Sequence, residues 1–502
     1  MAEHSTPVPY TANPLYLLLS DLWLFVKITI TWPPSAGLPS IILPWCPTKY
    51  LDELALTPAN IWAIFLHSLL ILGQVVFLVS LVPLAFGLIP SLYFLYIIAF
   101  VLGNQLVCVL LNGRRQHTLI SSNPKCVDGW PTHPSEKWVF INGVAVGRNW
   151  LQANLDRLSM IFRRPVYAIH NQTRGIIFDV LECIVQRDLN YATLDIRQAY
   201  SALTKVLSDN SVHKVVLILH SQGAIEGGMV LDWLYSSVSA DEIRKLEIYT
   251  FGNASNHWNA PANGRDNSGV ATIALQSSTP SNSDDGSGEA LGGAQNQRLV
   301  KHIEHYANTG DYVSRFGILH FRPNKAAATR QNHDETVMAA TTTTMTTTTT
   351  TTTMRPSGSQ SPRANNSSSA SAPTGAGGTQ PDSNSSGVLQ INLKEEAKGE
   401  NNRFIGLLFK REASGHQLNQ HYLNHMFELE GVDERDMSKG CVKDKNRFMT
   451  TQVDMDVLSE WDTVQAVTSG SPASGGQSRR RHQVREYSRL WTYRNGEDPD
   501  TT

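Results

Sequence analysis

Two long apolar runs near the start of the chain restrict its fold more than any other feature of the sequence. They cover residues 61–86 and 88–111. Each is longer than the roughly 20 apolar residues that a helix needs to cross the hydrocarbon core of a bilayer. Pro83, Gly87 and Pro90 mark the join, so we predict a hairpin of two transmembrane helices with almost no loop. The alternative is a buried helical pair in a soluble protein, but soluble cores seldom contain two such runs in tandem.

The charges that flank these runs predict the orientation of the hairpin. Lys49 precedes the first run and Arg114 and Arg115 follow the second, whereas the connecting turn carries no charge. Because cytoplasmic flanks carry an excess of Lys and Arg, the large C-terminal part of the chain is predicted to be cytosolic. In the opposite orientation, Asn171-Gln-Thr and Asn253-Ala-Ser would be glycosylation acceptors in a lumen. The sequence does not indicate an organelle.

Residues 1–60 form a separate N-terminal region in this interpretation. The first ten residues lack the basic segment of a cleaved secretory signal. Residues 15–32 are apolar and aromatic, but Asp21 and Lys27 make the segment too polar to span a membrane. It is predicted to be a helix that either lies in the membrane interface or packs on neighbouring elements.

Charge and cysteine content exclude several classes of partner and site. A formal net charge of −2 over 502 residues gives no overall attraction to nucleic acid. The five cysteines are scattered and odd in number, without a CxxC motif. This pattern favours a reducing compartment and indicates neither a zinc site nor a disulfide framework. We expect no metal and no cofactor.

Residues 137–430 are predicted to form one folded domain. Within it, segments with the pattern of buried strands alternate with segments with the pattern of helices. Short apolar runs are typical of buried strands, and the segments between them have apolar residues at helical spacing. Strands are predicted at residues 137–141, 165–170, 215–219, 246–251, 302–307 and 403–410, and a helix is predicted over residues 144–162. Because strands that alternate with helices require right-handed crossovers, we predict an α/β fold. Its sheet is mostly parallel, with helices on both faces.

Biased composition interrupts this domain twice. Residues 261–298 and 325–398 are rich in Gly, Ser, Asn and Thr, and the second stretch includes a threonine tract broken only by Met345. Such segments cannot bury enough apolar surface to fold, so both are predicted to be disordered insertions. Residues 431–502 are predicted to be a mostly disordered tail.

The run KVVLILHSQGAIEGG, residues 214–228, contains the strongest chemical signal. Ser221 follows a buried strand and His220, and precedes Gln222 and Gly223. A serine at a tight turn from strand to helix lies above the edge of the sheet beside helix N–H groups, which describes a nucleophile elbow. Leu219 stands where the motif G-x-S-x-G has its first glycine. The alternative is a buried strand that ends in an N-capping serine.

A serine nucleophile needs an imidazole base that a carboxylate orients. In the α/β-hydrolase arrangement the acid and then the histidine follow the serine, each after a later strand. Asp311 lies in the turn after residues 302–307, although an ordinary turn aspartate is an alternative. His416 lies in a Ser-Gly-His turn, and His421, in the next helical stretch, is the alternative base. His320 ranks third because no strand separates it from Asp311.

Two backbone N–H groups are predicted to stabilise the oxyanion that forms during acyl transfer. One belongs to Gln222, directly after the serine. The other comes from Gly143 or Val144, after the strand at residues 137–141, where a glycine allows close approach to a substrate. Gly143 could equally be an ordinary turn glycine.

Four segments together resemble a known family. They are the elbow, TFGNASNHW, HYANTGDYVSRFG and GHQLNQHYL. The chain is similar to little-characterised fungal α/β-hydrolase-like membrane proteins, which are distantly similar to lipases of the class 3 type. The resemblance covers residues 137–427 apart from the two insertions. It implies an α/β-hydrolase-like domain and a Ser-Asp-His hydrolase that cleaves an ester, with a lipid ester as the expected substrate.

The hairpin adds information about the substrate. A domain tethered at a bilayer meets lipids at high effective concentration, so lipid esters and acylated proteins are the predicted substrates. We expect Ser221 to form an acyl-enzyme that water then hydrolyses. The alternatives are a protein deacylase acting on thioesters and an inactive hydrolase-fold scaffold for protein partners.

Overall fold

A computed structural model describes the conformation of most of the chain outside the biased segments. The described residues are 13–31, 33–47, 51–113, 119–261, 299–300, 302–322, 403–433, 435–453, 463–465 and 482–499. Apart from Pro261, both predicted insertions lie outside them. The flanking charges Lys49, Arg114 and Arg115, on which the predicted orientation depends, also lie outside.

A single large sheet forms the centre of the described structure. Its strands are β1 (Ile120–Ser121), β2 (Glu136–Ile141), β3 (Val166–Ile169), β4 (Lys214–His220), β5 (Leu246–Phe251), β6 (His302–Asn308), β7 (Leu407–Arg411) and β8 (Thr463–Gln465). They are arranged in the order β1-β3-β2-β4-β5-β6-β7-β8. Only the β1–β3 pair is antiparallel, and the other neighbours are parallel. The predicted α/β class with a mostly parallel sheet is confirmed.

Alternation along the strands divides the core into two layers. In β4, Val216 and Ile218 face one layer, and Val215, Leu217 and Leu219 face the other. This period of two buries both faces of the strand. The first layer includes helix α4 (Arg148–Phe162), and the second includes α6 (Leu194–Leu207) and α7 (Gln222–Ser237), with α5 (Ile176–Leu189) packed beside α7.

Two predicted elements begin later than the sequence pattern indicates. The helix expected from Val144 begins at Arg148, because Ala145 has a φ of 62° and a helix cannot pass through that conformation. The strand expected over residues 403–410 begins at Leu407, after Gly406 with its φ of 102°. The predicted helix around His421 is a π-helical turn (Leu418–Leu423) followed by a short helix (Asn424–Met426).

The two apolar runs form helices α2 (Pro58–Gly87) and α3 (Pro90–Asn112). Both are long and apolar enough to cross a membrane, with mean hydropathies of 2.5 and 2.3 over their most apolar windows. Only 17% and 11% of those windows are buried against the rest of the chain. The apolar surface is therefore largely exposed, unlike that of a helical pair in a soluble core.

The N-terminal segment forms helix α1 (Pro14–Thr29), which has two different faces. Leu17, Leu24 and Ile28 are buried together with Asp21. Asp21 forms an ion pair with Arg187 of α5, at 2.6 Å between Oδ2 and Nε. The opposite face is apolar and exposed; its large residues are Leu15, Leu19, Leu22, Trp23, Val26 and Ile30. The predicted packing on neighbouring elements is therefore confirmed for one face of α1, whereas the opposite face is exposed.

The prediction of a mostly disordered tail does not hold for residues 435–453 and 482–499, which are folded. Trp491 and Tyr493 lie in the core layer beneath the sheet. The Tyr493 hydroxyl donates to Glu247 Oε2 at 2.8 Å, and Arg489 donates to Oε1 of the same residue at 2.9 Å. These partners belong to β5, so the local sequence of the tail could not indicate them.

Replacing Trp491 tests whether the tail is part of the core. Trp491 is 2% exposed and packs against Phe427. We expect Trp491→Ala to lower the free energy of unfolding by about 3–5 kcal/mol through cavity formation. The control is Trp23→Ala on the outer face of α1, expected to change it by less than about 0.5 kcal/mol. Denaturant unfolding in detergent measures both, and equal effects would contradict a folded tail.

Candidate active site

Ser221 lies at the turn between β4 and α7, with a φ of 58° and a ψ of −123°. A non-glycine residue in this conformation costs about 1–3 kcal/mol, and such strain is concentrated at functional sites. The Ser221 N–H donates to Phe251 O at the end of β5, at 3.0 Å. The strained turn is thereby held above the carboxyl ends of two neighbouring strands.

The topology of the sheet places this serine at a switch point. The chain passes from β2 to β3 on one side and then returns to β4 on the other side of β2. The connections after β2 and β4 therefore run to opposite faces of the sheet, and ligands of open α/β sheets bind at such a switch point. Ser221 follows β4, and Gly143 follows β2, so both lie at the switch point.

The Ser221 turn and the loop after β2 are in such close contact that side chains would not fit between them. A Cβ atom on Gly223 would lie 2.9 Å from Asn142 O, with Ile141 O closer still. A Cβ atom on Gly143 would lie 2.9 Å from Ser221 Oγ. Both glycines are therefore required by the close approach of the two loops, whereas the predicted approach of a substrate to Gly143 stays a prediction.

The side chain of Leu219 fits because residue 227, in the following helix, is a glycine. Its side chain packs on α7 at Gly227, where a Cβ atom would lie 2.5 Å from Leu219 Cδ1. A leucine before the nucleophile is thus accommodated by a missing side chain one and a half turns into the following helix. The departure from G-x-S-x-G is compensated without displacing the serine.

Asp311 and His416 are in direct contact. Asp311 caps the short helix Tyr312–Phe316, and its Oδ1 accepts from Val313 N at 2.9 Å. Its Oδ2 lies 2.9 Å from His416 Nδ1 and accepts from the hydroxyls of Tyr422 at 2.6 Å and Ser314 at 2.9 Å. Burial opposes ionisation of this carboxyl, but contact with His416 and these hydrogen bonds outweigh it and lower the pKa of Asp311. The carboxylate is held ionised against the imidazole.

Ser221 and the Asp311–His416 pair both adjoin the end of β5. A Cβ atom on Gly252 would lie 2.8 Å from His416 Cε1 and 3.1 Å from Asp311 Oδ2. The preceding residue, Phe251, accepts the hydrogen bond from Ser221 N. The structure therefore gathers all three residues around one point of the sheet edge.

His220 packs against His416 and contacts its backbone. Its ring stacks on that of His416 with centroids 4.7 Å apart, and its Nε2 lies 2.9 Å from His416 O. Burial, followed by the neighbouring His416 ring, lowers the pKa of His220 to about 3. Neutral His220 can donate to the His416 carbonyl, so this residue helps to hold the turn that carries His416.

The alternative base, His421, faces a different set of groups. Its Nδ1 accepts from Gln417 N at 2.9 Å, and its Nε2 lies 2.9 Å from Pro44 O. Both ring nitrogens are thus engaged in holding the π-helical turn and the N-terminal segment. His320 is exposed in the helix Ile318–Phe321, where its ring contacts Phe321 rather than the carboxylate. Of the three predicted candidates, only His416 contacts Asp311 in the described structure.

The predicted oxyanion donors lie on either side of Ser221. Gln222 begins α7, and the first N–H groups of a helix have no partner within it. The Gln222 side chain is fixed, because its Oε1 accepts from Asn171 and its Nε2 donates to Gln186. Gly143 adjoins Ser221 directly, and Val144 is half-buried beside it. This pair of loops can surround a developing negative charge.

Two side chains whose role sequence reasoning missed hold the loop after β2 in place. Asn142 exchanges two hydrogen bonds with the backbone of Asn171, at 2.8 and 3.0 Å. Asp179 Oδ2 accepts from Ala145 N at 2.9 Å, and its Oδ1 accepts from Arg174 N at 2.7 Å. Asp179 thus ties the loops after β2 and β3 together. The N-G pair at residues 142–143 signalled the turn, but nothing local signalled Asp179.

The N-terminal segment covers the site. His416 N donates to Ile41 O at 3.2 Å, and Pro44 O binds His421. Ser221 is 2%, His416 4% and Asp311 0% exposed. The outer surface of this cover, residues 33–46, is apolar, with Leu38, Ile42, Leu43 and Trp45 exposed.

One cluster of metal-ligand types occurs among the described residues, and it lies at the opposite end of the sheet. His133, Glu136 and Asp498 place ligand atoms within 4.8 Å of one another. Arg164 lies 3.0 Å from Glu136, and Lys214 lies 3.0 Å from Asp498. The carboxylates are already paired with cations, so this cluster is an ion-pair network.

The chain matches no protein-family model, and neither the curated proteins nor the solved structures contain a significant match. The resemblance to hydrolase-like membrane proteins therefore stays an expectation from sequence motifs.

Exchanging Gly227 tests how Leu219 is accommodated. Gly→Ala in a helix interior gains about 1 kcal/mol from propensity. We expect that gain for Gly228→Ala, whose Cβ atom would lie 3.7 Å or more from its neighbours. Gly227→Ala should instead destabilise the protein by about 1–3 kcal/mol through overpacking against Leu219.

Adding Leu219→Ala completes this test as a double-mutant cycle. Removing the leucine side chain takes away the clash, so Gly227→Ala should cost less in that background by at least about 1 kcal/mol. Denaturant unfolding measures all the variants. Equal costs in both backgrounds would show that Gly227 is not there to make room for Leu219.

Proposed function

We propose that this protein is a membrane-associated serine hydrolase with an α/β-hydrolase-like domain, which cleaves a carboxylic ester of a lipid. Ser221 is the nucleophile, His416 the base and Asp311 the residue that orients it. The observation that carries the proposal is the buried contact of 2.9 Å between His416 Nδ1 and Asp311 Oδ2 beside a strained serine. An acid and a histidine arranged in this way can activate a serine hydroxyl.

The protonation state of His416 follows from its contacts. Ionised Asp311 accepts a hydrogen bond, so His416 Nδ1 carries the proton and Nε2 is left as an acceptor. His416 Nε2 is buried and has no hydrogen-bond partner within the described structure. It is the atom that takes the Ser221 proton as the hydroxyl attacks the ester carbonyl. The protonated imidazole then donates to the leaving alcohol, and the same nitrogen activates water to release the acyl group.

Backbone donors stabilise the tetrahedral intermediates. The Gln222 N–H and an N–H of Gly143 or Val144 point toward the negative oxygen, as the close approach of the two loops allows. Each such donor is worth about 10²–10³ in kcat in other acyl-transfer enzymes. Asp179 and Asn142 act through the loop rather than on the substrate, and are positioning residues.

The exposed apolar surface supports a substrate at the lipid surface. Helices α2 and α3 leave most of their apolar side chains uncovered, and the outer face of α1 and the cover over the site are also apolar. A carboxylic ester within a lipid fits this setting, and an acylated protein presents the same carbonyl chemistry as the second substrate class.

Burial of two asparagines supports a cytosolic domain. Asn171 and Asn253 are both buried, and their side-chain nitrogens donate to Gln222 and Thr250. Glycosylation of either in a lumen would be incompatible with the fold described here. The cytosolic placement from flanking charges stays a proposal.

The histidine variants test the catalytic assignment. We expect His416→Ala to lower kcat for a short-chain nitrophenyl ester presented with phospholipid vesicles by at least about 10³-fold, because the serine loses its base. His421→Gln should retain most of the activity, since the hydrogen bonds of this ring are made with Gln417, Gln420 and Pro44 and not with Asp311.

The outcomes separate the enzyme from its alternatives. Comparable losses in both variants, with circular dichroism spectra like that of the wild type, would contradict His416 as the base. Activity on thioesters but not on oxygen esters would favour a protein deacylase. Absence of wild-type activity on both would favour the inactive scaffold.

A further inference from the structure

The apolar hairpin and the α/β domain are joined side by side through polar side chains of α2 and α3. Gln74 Nε2 donates to Arg174 O at 2.7 Å, and Gln74 Oε1 accepts from Ile177 N at 3.2 Å. Asn104 Nδ2 donates to the same Arg174 carbonyl at 3.1 Å. Farther from the tip, Asn60 accepts from Asn149 and Trp150, and Asn112 donates to Thr173. The polar contacts therefore extend along the hairpin as far as Gln74 and Asn104, and nearer the tip Phe178 of α5 still packs against Phe77 and Phe100.

Charged side chains lie beside Gln74 and Asn104, so this part of the protein does not lie in the hydrocarbon core of a membrane. The Arg174 side chain is 47% exposed and lies 3.7 Å from Glu182 and 3.9 Å from Asp195. Loop backbone and half-exposed ions of this kind do not occur against lipid tails. The boundary of the hydrocarbon must therefore lie closer to the tip of the hairpin than Gln74 and Asn104.

The remaining length is too short to cross a bilayer. Thirteen residues of α2 follow Gln74, up to Gly87, and fourteen residues of α3 precede Asn104, from Pro90. At 1.5 Å per residue these segments are about 20 Å long. The hydrocarbon core of a bilayer is about 30 Å thick, and one leaflet is half of that. The free part of the hairpin suits a single leaflet.

The tip of the hairpin is itself apolar. Residues 81–90 carry no polar side chain, Phe86 is 90% exposed and Ile89 is 63% exposed. The hydroxyls of Ser80 and Tyr96 bind each other at 2.6 Å within the hairpin. A crossing hairpin would expose this turn to water on the far side, at a cost of about 25 cal/mol per Å² of apolar surface. A turn that stays among acyl chains avoids that exposure.

The outer face of α2 indicates how the hairpin is oriented when it enters a lipid surface. Trp62, Phe65, Leu69 and Leu72 are all more than 45% exposed on the part that runs beside the domain. Asn60, His67 and Gln74 form the opposite stripe, toward the domain. An oblique hairpin keeps the aromatic outer face at the lipid interface while the polar stripe and the domain remain in water.

We propose that the hairpin of α2 and α3 inserts into one leaflet of a lipid surface and does not cross the bilayer. The acyl chains of that leaflet cover the apolar surface of the hairpin. A phospholipid monolayer over neutral lipid is therefore sufficient for docking. This replaces the full crossing expected from the lengths of the apolar runs alone. It is independent of the proposed catalysis.

Cysteine labelling in sealed vesicles tests the insertion depth. The exposed or half-exposed cysteines Cys46, Cys183 and Cys441 are replaced by Ala, and Leu88→Cys is introduced at the tip. Ser236→Cys, exposed on α7, reports the side of the domain. We expect a membrane-impermeant maleimide to label the Ser236 variant from outside intact vesicles reconstituted with outward-facing domains. The Leu88 variant should be labelled only after detergent is added.

Either of two other labelling results would overturn the proposal. Labelling of Leu88→Cys by maleimide enclosed within the vesicles would show a crossing hairpin. Labelling from the outside would show a hairpin that is not inserted. The detergent step establishes that the new thiol reacts once it is accessible.

Flotation with droplets of triolein coated by a phosphatidylcholine monolayer provides a second measurement. We expect the wild type to float with them, and the double variant Phe86→Asp and Ile89→Asp to bind at least about tenfold less, because charges are costly among acyl chains. Leu189→Asp, an exposed position on α5, is the matched control and should bind like the wild type. Failure of the wild type to bind the monolayer while it inserts into bilayers would overturn the one-leaflet arrangement.

Discussion

The close approach of the Ser221 turn to the loop after β2 is the constraint on which the rest of the site depends. The absence of side chains at Gly143 and Gly223 lets the two loops touch, and the hydrogen bond from Ser221 N to Phe251 O fixes the turn against β5. The strain at Ser221 is tolerated because the carboxyl ends of the strands on both sides are buried and hold the turn in place. The Asp311–His416 pair completes the arrangement from the far side of β5.

A continuous set of contacts joins the hairpin to this site. Gln74 and Asn104 bind the carbonyl of Arg174, whose N–H is bound by Asp179. Asp179 in turn holds Ala145, two residues after Gly143. The apolar hairpin is therefore attached to the loop that carries a proposed oxyanion donor. In the proposed hydrolase, these contacts keep Ser221 at a fixed position relative to the hairpin.

Elements defined by their own apolar runs are readable from the sequence. Strand β5 begins and ends at the predicted residues, Leu246 and Phe251, because charge and glycine bound a short apolar run. The turn at Ser221 is equally local. The start of α4 is not, because it depends on Asp179, 34 residues from Ala145. The folding of the tail depends on Glu247 in the same way.

The choice between His416 and His421 shows the same limit. Both follow a predicted strand, and only contact with Asp311, 105 residues earlier, distinguishes them. Tyr422, next to the rejected histidine, also binds that carboxylate, and no motif pointed to it. Spacing indicates which residue types are available, whereas the tertiary fold determines which of them meet.

Covalent labelling of Ser221 tests whether this residue is a nucleophile. Full-length protein bound to phospholipid vesicles is treated with a fluorophosphonate, digested, and analysed by mass spectrometry. We expect an adduct on the peptide that contains Ser221 and no labelling of the folded Ser221→Ala variant. An unlabelled wild type, or equal labelling of both proteins, would contradict this expectation.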